Sequence, residues 1–425
     1  MKVIIIGGGW SGCAAAITAK KAGAEVEIYE KTDLLLGLGN VGGIMRNNGR
    51  YTAAEELLAL GAGDLINITD KNTRHRNIDF PGHKHAWLYD VNKIEPSVRN
   101  YLKDLDISIN LIKRVIDVKK IDNKIEGIYL SDGTYITGDV FIEATGSTGP
   151  MGNCLKYGNG CSMCILRCPA FGPRVSISSR AGVDDLQGQR EDGNLGAFSG
   201  SCKLAKESLS PDIVEELDEK GVVILKIPYE DVNLDKLKIK VCQQYALKEF
   251  AENVILLDTG HAKLMTTFYP LEKLRKIPGL EGVKFIDPYA GGKGNSIRYL
   301  SVAPRNDDMK VKGIDNLFCG GEKSGLFVGH TEAILTGSLA GHNAVRSALG
   351  IPSLILPRDL ATGDLLAFAN YKMLEKDGRR KRYTFAGSEY FKRMIELGLY
   401  TTDRDEIKRK VEKLNLTNIF NQKLV

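Results

Sequence analysis

The first thirty residues constrain the fold more than any other stretch of the chain. A short apolar and β-branched run at residues 2–6 is typical of a strand buried on both faces. Gly7-Gly8-Gly9-Trp10-Ser11-Gly12 follows at once, and residues 13–21 are strongly helix-forming. A second strand-like run, residues 25–29, ends on the acid Glu30. The stretch therefore predicts strand, glycine turn, helix and strand, which is how a doubly wound α/β sheet begins.

The glycines of this turn have distinct physical roles. Gly7, Gly9 and Gly12 fill a G-x-G-x-x-G pattern, with Glu30 at about the twenty-residue offset that a dinucleotide site requires. The first glycine permits a tight turn, the second lets the backbone approach a pyrophosphate, and the third lets helix and strand pack closely. The helix N-terminus offers unpaired N–H groups to phosphates, and Glu30 would accept hydrogen bonds from ribose hydroxyls. Because strand, helix and acid fall in register, the pattern predicts nucleotide binding rather than a turn without a ligand.

The totals limit the class of protein. At 425 residues the chain is long enough for two or three lobes around a large core. Its formal net charge of +5 is mild and does not by itself indicate nucleic acid. No apolar run is long enough to span a bilayer, and the apolar N-terminus is explained as a strand rather than a signal peptide. Eight cysteines in an unsecreted chain favour metal or redox use over a disulfide framework, so we expect a cytoplasmic protein without membrane contact.

Patterning along the chain divides it into four segments. Residues 1–150 form the first part of the nucleotide domain, 151–310 an inserted lobe, 311–350 the closing part of the nucleotide domain, and 351–425 a C-terminal helical region. The smaller elements are predicted as helices at 53–60, 211–220 and 233–251, strands at 115–118, 124–130, 134–136, 139–146 and 254–257, and an irregular polar excursion at 67–85. The fold class is therefore α/β, a doubly wound Rossmann-like domain with an inserted mixed α+β domain.

A closing element near residue 320 carries a resemblance to a known family. Residues 316–322 read as a strand running into a glycine turn that ends on Glu322, and residues 329–344 as a helix rich in small residues. Together with the Ala144-Thr145-Gly146 turn, this element resembles the last FAD motif of the GidA/TrmFO-type flavoproteins. Those enzymes modify uridines in RNA with FAD, a reduced nicotinamide and methylenetetrahydrofolate.

The resemblance implies a set of FAD contacts in this chain. The N-terminal turn and Glu30 would hold the ADP half, and Glu322 with the start of the following helix would lie near the ribityl chain and the flavin ring. The residues expected to contact FAD are Gly7, Gly9, Trp10, Ser11, Gly12, Glu30, Lys31, Gly42, Gly43, Val115, Ala144, Thr145, Gly146, Gly321, Glu322, Gly329, His330 and Thr331. With a single dinucleotide fingerprint, NAD(P)H would serve only as a transient donor.

Two features depart from that family. In the RNA-modifying relatives the loop after the early FAD contacts carries a cysteine, whereas residues 40–48 have none. The inserted lobe also has the spacing C-x6-C-x2-C-x3-C followed by Pro169, formed by Cys154, Cys161, Cys164 and Cys168. The spacing is close to that of ferredoxin-type cluster ligands and predicts a [4Fe–4S] cluster, with structural zinc and unliganded or redox-active thiols as alternatives.

Other polar and thiol side chains are candidates for the substrate face. His261, Lys293, Asn295, Arg298 and Arg305 lie on or near glycine-rich loops before the closing element, where a basic set would suit an anionic substrate. We expect helix packing for Cys13 and strand core for Cys319, and core rather than substrate-facing positions for Cys202 and Cys242. No arrangement typical of hydrolytic catalysis is present.

Three functions follow from these patterns. The first is an FAD-dependent oxidoreductase with a [4Fe–4S] cluster, whose partner is a small-molecule substrate or an electron-carrier protein. The second is a flavin- and folate-dependent RNA uridine methyltransferase, which the closing motif and the basic residues 379–382 support. The third is a non-enzymatic sensor or assembly partner. Any of the three is compatible with an oligomer.

Overall fold

The computed structural model describes residues 1–146, 171–198, 202–266, 269–286, 297–298 and 300–425, with the backbone alone at 197–198 and 297–298. The strands are β1 Lys2–Ile6, β2 Glu25–Tyr29, β3 Ile44–Arg46, β4 Thr73–Phe80, β5 His83–Tyr89, β6 Ser108–Asn110, β7 Val115–Ile121, β8 Lys124–Leu130, β9 Tyr135–Thr137, β10 Val140–Glu143, β11 Leu186–Gln187, β12 Ala197–Phe198, β13 Cys202–Leu204, β14 Val222–Lys226, β15 Asn253–Asp258, β16 Ala262–Leu264, β17 Ile297–Arg298, β18 Ser301–Val302, β19 Leu317–Cys319 and β20 Tyr383–Thr384.

The helices are α1 Trp10–Lys21, α2 Gly39–Gly42, α3 Gly49–Ala59, α4 Asp64–Lys71, α5 Ile94–Asp104, α6 Ile177–Arg180, α7 Pro211–Lys220, α8 Asp235–Lys238, α9 Glu249–Glu252, α10 Leu271–Leu274, α11 His330–Ala348, α12 Ala361–Leu374, α13 Ser388–Glu396 and α14 Arg404–Lys413. Within the described ranges, none of them is both long and apolar enough to cross a bilayer.

A five-stranded parallel sheet is the centre of the fold. Its order is β19-β10-β1-β2-β6, so the first strand lies in the middle with β2 on one side and β10 on the other. Ile4, Ile5 and Phe141 are fully buried because both faces of the sheet are covered. The late strand β19 joins the edge beside β10. This confirms the predicted α/β class and the predicted return of residues 139–146 to the sheet.

Two helices with small side chains pack against each other on one face of the sheet. An added Cβ at Gly337 of α11 would overlap the backbone of Ser11 in α1. The hydroxyl of Thr18 donates a hydrogen bond to the carbonyl of Ser338 at 2.9 Å. The C-terminal helices bury Leu365 and Tyr390 in the same core. Close helix contact thus joins the closing element to the N-terminal turn.

Antiparallel sheets surround this centre. The predicted hairpin strands form the sheet β7-β8-β9, and its Val115 and Ile128 pack against the opposite face of the parallel sheet. The inserted lobe contains the sheet β13-β16-β15-β14. Helix α7 has the predicted bounds, α3 covers most of the helix predicted at 53–60, and β15 contains the predicted strand at 254–257.

Two predicted elements are wrong. The stretch 67–85 is not irregular, because after the end of α4 it forms β4 and enters the hairpin with β5. The sequence of β4 does not alternate between apolar and polar residues, because β4 is the outer strand of the sheet β3-β5-β4 and carries polar residues on both faces. It therefore lacks the pattern by which a strand is predicted. The helix predicted at 233–251 is broken into α8, a 3-10 turn at Gln243–Tyr245 and α9. The side chain of Gln243 holds that turn by bonding the backbone of Arg380 and Arg382, a tertiary contact that overrides helix propensity.

Candidate functional site

A large pocket lies where the parallel strands end. The residues that directly follow β1, β2 and β10, which are Gly7, Glu30 and Ala144, all line it. The pocket continues past the loop 36–44 to the inserted lobe and to the start of α11, and it encloses about 1610 Å³ including open solvent at its mouth. Ligands of doubly wound sheets bind at this carboxyl edge. The lining runs from the N-terminal glycine turn to the start of a second helix, an arrangement that suits a ligand with two separate recognition elements, such as a dinucleotide.

One end of the pocket is built by the N-terminal turn and Glu30. Gly7 has a φ of 103°, which a residue with a side chain rarely adopts. The buried carboxylate of Glu30 accepts hydrogen bonds from the backbone N–H of Gly8 at 2.8 Å and from the N–H and hydroxyl of Thr32, both at 2.9 Å. These bonds fix the acid beside the glycine turn, and a carboxylate keeps further acceptor capacity for a ligand.

The start of α1 has the donors that a pyrophosphate requires. No side chain caps this helix, although its first N–H groups have no partner within the helix itself. The hydroxyl of Ser11 is buried and lacks a hydrogen-bond partner among the described residues. Gly9 leaves open space where a Cβ would lie. The donors at this end are the free N–H groups of the helix N-terminus and the hydroxyl of Ser11, and the glycine leaves room for a ligand to approach the backbone. This set fits the phosphates of a dinucleotide such as FAD.

A second helix N-terminus meets the pocket at its other end. Helix α11 begins at His330, directly after Gly329, and it also has no side-chain cap. The ring of His330 lies 5.8 Å from the ring of Trp10 and 6.0 Å from that of Tyr89. A Cβ atom at position 42 would overlap the His330 ring, so any side chain there would displace that ring. This end is therefore aromatic and closely packed, which suits a planar ring.

A buried ion pair holds the beginning of α11 in place. The guanidinium of Arg50, which also lines the pocket, donates from Nε to both carboxylate oxygens of Glu332 at 3.1 Å. Glu332 accepts further hydrogen bonds from the Thr384 hydroxyl at 2.7 Å and the Phe385 N–H at 2.9 Å. Every partner is buried, so the network fixes α3, α11 and β20 relative to one another.

Most of the predicted FAD contacts come together in this pocket. Those that line it are Gly7, Gly9, Trp10, Ser11, Glu30, Lys31, Gly42, Val115, Ala144, Thr145, Gly146, Gly321, Glu322, Gly329 and His330. Three others lie beside it with packing roles: Gly12 against Gly7, Gly43 against Thr259, and Thr331 donating to the Met45 carbonyl at 2.7 Å.

The inserted lobe contributes residues that the sequence interpretation did not assign to the site. The lining residues from this lobe are Lys240, Cys242, Gln244, Tyr245, Lys263 and Met265. Burial lowers the pKa of Lys240 and of Lys263 to about 8. Cys242 is half-buried: it packs against the core as expected, and it also lines the pocket. A continuous helix over residues 233–251 would not have predicted that these side chains meet at the pocket. The turn at residues 243–245 interrupts the helix and brings them there.

The remaining thiols and basic residues have plainer positions. Cys13 and Cys319 are buried as expected, and burial raises the pKa of the half-buried Cys202 to about 12. Arg305 is fully buried and donates to three backbone carbonyls, so it is not a substrate-side group. His261 is half-buried and lies outside the described lining, and burial followed by Lys203 lowers its pKa. Arg382 of the basic run is buried against the loop at Gln243, so part of that run is structural.

Several predicted residues lie outside the described part of the chain. These are Cys154, Cys161, Cys164 and Cys168, together with Lys293, Asn295 and the side chain of Arg298. Among the residues that are described, no group of three or more His, Cys, Asp or Glu side chains is arranged to hold a metal ion. Gly146 and Pro173, which lie close to the two ends of the described chain flanking the cysteine-rich segment, both line the pocket.

Curated proteins similar to this chain include tRNA modification enzymes. A tRNA uridine 5-carboxymethylaminomethyl modification enzyme MnmG of Clostridium botulinum (strain Loch Maree / Type A3) is 25% identical over 413 residues, which cover 84% of this chain and 63% of that protein. The MnmG of Alkaliphilus metalliredigens is 23% identical with the same coverage. The MnmG of Chlorobaculum tepidum is 40% identical over 115 residues, 27% of this chain and 18% of that protein. In the long alignments the chain thus spans 63% of its curated relatives' length.

Comparison with solved structures and family sequences agrees. The Aquifex aeolicus GidA structure in the form II crystal matches 97% of this chain and 76% of that one, with a TM-score of 0.64 at 16% identity, and so has the same fold. The sequence model of the family "Glucose inhibited division protein A" matches residues 2–256 and 248–352. These matches cover most of the chain, including the glycine turn, Glu30 and the first turn of α11. The chain therefore belongs to the GidA family.

Proposed function

We propose that this chain is an FAD-dependent oxidoreductase of the GidA family. The observation that carries the proposal is the convergence of two uncapped helix N-termini, those of α1 and α11, on one pocket at the carboxyl edge of the sheet. One supplies N–H donors for phosphates, and the other places partial positive charge near a planar, electron-accepting ring. Family membership supports the same cofactor.

The chain's own residues would hold FAD at both ends. The N-terminus of α1 and the Ser11 hydroxyl would bind the pyrophosphate, and Glu30 would accept hydrogen bonds from the ribose. Gly42, Gly329 and His330 would enclose the ring end. When bound, FAD would supply two-electron and one-electron redox chemistry that no amino-acid side chain provides.

The inserted lobe would supply the substrate face. Cys242 is the described thiol that lines the pocket, and Lys240, Tyr245 and Lys263 surround it with donors. This set can position a polar substrate beside the ring, while Met265 and Ile44 limit the access of water. NAD(P)H acting transiently, or an electron-carrier protein, would be the source or acceptor of electrons.

The cysteine-rich segment carries the finer part of the proposal. The spacing of Cys154, Cys161, Cys164 and Cys168 supports a [4Fe–4S] cluster, and the described chain on both sides of the segment ends at the pocket. Iron and sulfide analysis of protein purified without oxygen tests this, with the Cys161→Ser/Cys164→Ser variant for comparison. About four irons per chain, lost in the variant, are expected; zinc alone, or no metal, would refute the cluster.

A second candidate function is modification of tRNA uridines, which the names of the MnmG relatives favour. Two features weigh against it: residues 40–48 lack a cysteine, and Arg382 of the basic run is buried. The test is nucleoside analysis of undermodified tRNA after incubation with the FAD-loaded chain and methylenetetrahydrofolate or another one-carbon donor. A modified uridine would make this the function of the chain.

The FAD proposal is tested with Ser11→Ala. Removing an orphaned buried hydroxyl leaves the stability of the FAD-free protein unchanged or slightly raised, because no internal hydrogen bond is lost. The dissociation constant for FAD should rise about fivefold to tenfold, the loss of roughly one hydrogen bond. Ser131→Ala, at an exposed turn after β8, is the control and should change neither property. A wild-type chain that binds no FAD would refute the proposal.

A further inference from the structure

Three lysines of the inserted lobe meet at one place beside the pocket. Lys203 on β13 and Lys263 on β16 are directly opposite each other in an antiparallel pair. The ammonium of Lys263 donates to the carbonyl of Val41 at 2.6 Å, and that of Lys203 to the neighbouring carbonyl of Asn40 at 3.2 Å. Lys240, which lines the pocket with Lys263, donates to the carbonyl of Met265 at 3.1 Å. We call these three residues the lysine cluster.

The buried Lys263 is the member of the cluster whose charge is costly. Side chains directly opposite in an antiparallel pair have Cβ atoms about 4.5–5.5 Å apart, and like charges at that spacing repel. Lys263 is only 5% exposed, and no carboxylate among the described residues forms an ion pair with it. Its pKa is lowered by burial and further by Lys203 and Lys240, although the nearby cysteines act in the opposite direction. A buried ammonium with these neighbours therefore costs the fold stability.

A purely structural role does not explain the cluster. The carbonyls of Asn40 and Val41 could be held equally well by neutral donors such as Asn or Gln, without repulsion between charges. An ammonium has three donors, and the Val41 carbonyl uses one of those of Lys263. Destabilising buried charge that lines a cavity is typical of a ligand site. The phosphates of FAD do not require these lysines, since the α1 N-terminus and the Ser11 hydroxyl supply donors for them.

We propose that the lysine cluster is an anion subsite, which binds the carboxylate or phosphate group of a small substrate beside the flavin ring. The subsite rests on the proposed function, because that function places the ring next to this wall. Within the pocket Lys240 and Lys263 contact the anion, and Lys203 adds to the positive potential from the neighbouring strand. Cys242 lies in the same wall, so the reacting part of the substrate is held near it.

The test is titration of the FAD-loaded chain with inorganic phosphate and, separately, with succinate. Ionic strength is held constant with sodium chloride, because surface charges respond to salt. The readouts are the flavin difference spectrum and the shift in thermal midpoint, which rises with a ligand that binds the folded state. We expect saturable binding of at least one anion; the anion that binds more tightly identifies the group. No saturable binding of either anion overturns the proposal.

Lys263→Met is the decisive variant, because methionine replaces the unbranched stem of lysine atom for atom and lacks only the terminal ammonium group. It should fold at least as stably as the wild type, and it should weaken anion binding about tenfold or more. Lys248→Met, at a side chain that is 68% exposed, makes the same change in net charge and should leave binding within about twofold. Lys263→Gln provides a second test if the methionine variant does not fold. Unchanged anion binding in a folded Lys263 variant would overturn the proposal, as would loss of tRNA binding without any effect on small anions.

The FAD content of each protein separates this proposal from the proposed function. If the chain binds no FAD, the proposed function fails. The thermal titration with phosphate and succinate then still tests whether Lys263 forms an anion site.

Discussion

Gly9 and Gly12 lie three residues apart in one turn, yet a Cβ atom at each would meet different surroundings. At Gly9 no atom of the described residues, apart from its two chain neighbours, lies within 4 Å of that position, and its φ of −69° and ψ of −177° are open to any residue. At Gly12 the Cβ would overlap the carbonyl oxygen of Gly7 and lie 3.0 Å from its carbonyl carbon. Gly9→Ala should therefore affect what enters the pocket, whereas Gly12→Ala should affect the fold.

The magnitudes follow from these contacts. Gly12→Ala forces the backbone of α1 away from β1, and overpacking of this kind costs about 1–3 kcal/mol, of which up to about 1 kcal/mol is offset by better helix propensity. Gly9→Ala loses a few tenths of a kcal/mol as a poorer N-cap and gains about as much from the less flexible unfolded chain. Its methyl group, however, occupies space that a pyrophosphate would need, so FAD affinity should fall about tenfold or more, at least roughly 1.4 kcal/mol.

The assay pairs thermal unfolding, followed by circular dichroism, with FAD titration, followed by flavin fluorescence. We expect Gly9→Ala to unfold at the wild-type temperature and to bind FAD weakly. Gly12→Ala should unfold several degrees lower and lose FAD affinity only in proportion to its folded fraction. A Gly9→Ala protein that is folded and binds FAD as tightly as the wild type would refute the reasoning, because the pyrophosphate would then not lie against this turn.

Three further predictions concern other parts of the molecule. Both ring nitrogens of the buried His342 lack partners among the described residues, and burial, then Arg346, lowers its pKa from the ordinary 6.5 to about 4. The folded protein holds His342 neutral, so the free energy of unfolding is unaffected by this residue above about pH 6.5 and falls at lower pH, by about 2 kcal/mol at pH 5. His342→Leu removes this loss and should raise the thermal midpoint more at pH 5 than at pH 8. Glu332→Gln should destabilise the fold by about 3–5 kcal/mol in urea unfolding, because it leaves Arg50 buried without its charge partner, whereas Asp132→Asn at an exposed pair should have no measurable effect. Among the described cysteines Cys242 should react first with iodoacetamide, as mapped by mass spectrometry, and bound FAD should slow that reaction; faster labelling of the buried Cys13 or Cys319 would contradict the assigned positions.

The cofactor end of the site could be predicted from sequence because its residues are close together along the chain. The glycine turn, the helix after it and Glu30 lie within thirty residues, and each has a role that depends on backbone geometry. The small residues at 329–344 likewise favoured close packing on a sheet or cofactor, and the structure packs them closely against α1. Local pattern was enough in both places.

The substrate end could not be predicted in the same way. Lys203 and Lys263 are sixty positions apart and become neighbours only through the register of β13 with β16. Lys240 and Cys242 reach the pocket because a turn held by Gln243 interrupts a segment with helical character. The spacing of apolar and polar residues in the sequence predicts neither the register between two strands nor a turn that is fixed by contacts with residues 380–382. Such positions emerge only when the chain is folded.

The two ends of the pocket therefore carry different kinds of information. Backbone N–H groups and glycines recognise phosphate whatever the substrate is, so family membership is a sound guide to that end. Discrimination between substrates depends on the side chains of the inserted lobe, where charge and shape select the ligand. In the loop where the resemblance implies a cysteine, this chain instead presents the carbonyls of Asn40 and Val41 to two lysines. The lysines place positive charge on this wall, which by our proposal lies beside the flavin ring. The substrate should therefore be sought among molecules that complement this wall and not inferred from the relatives' names.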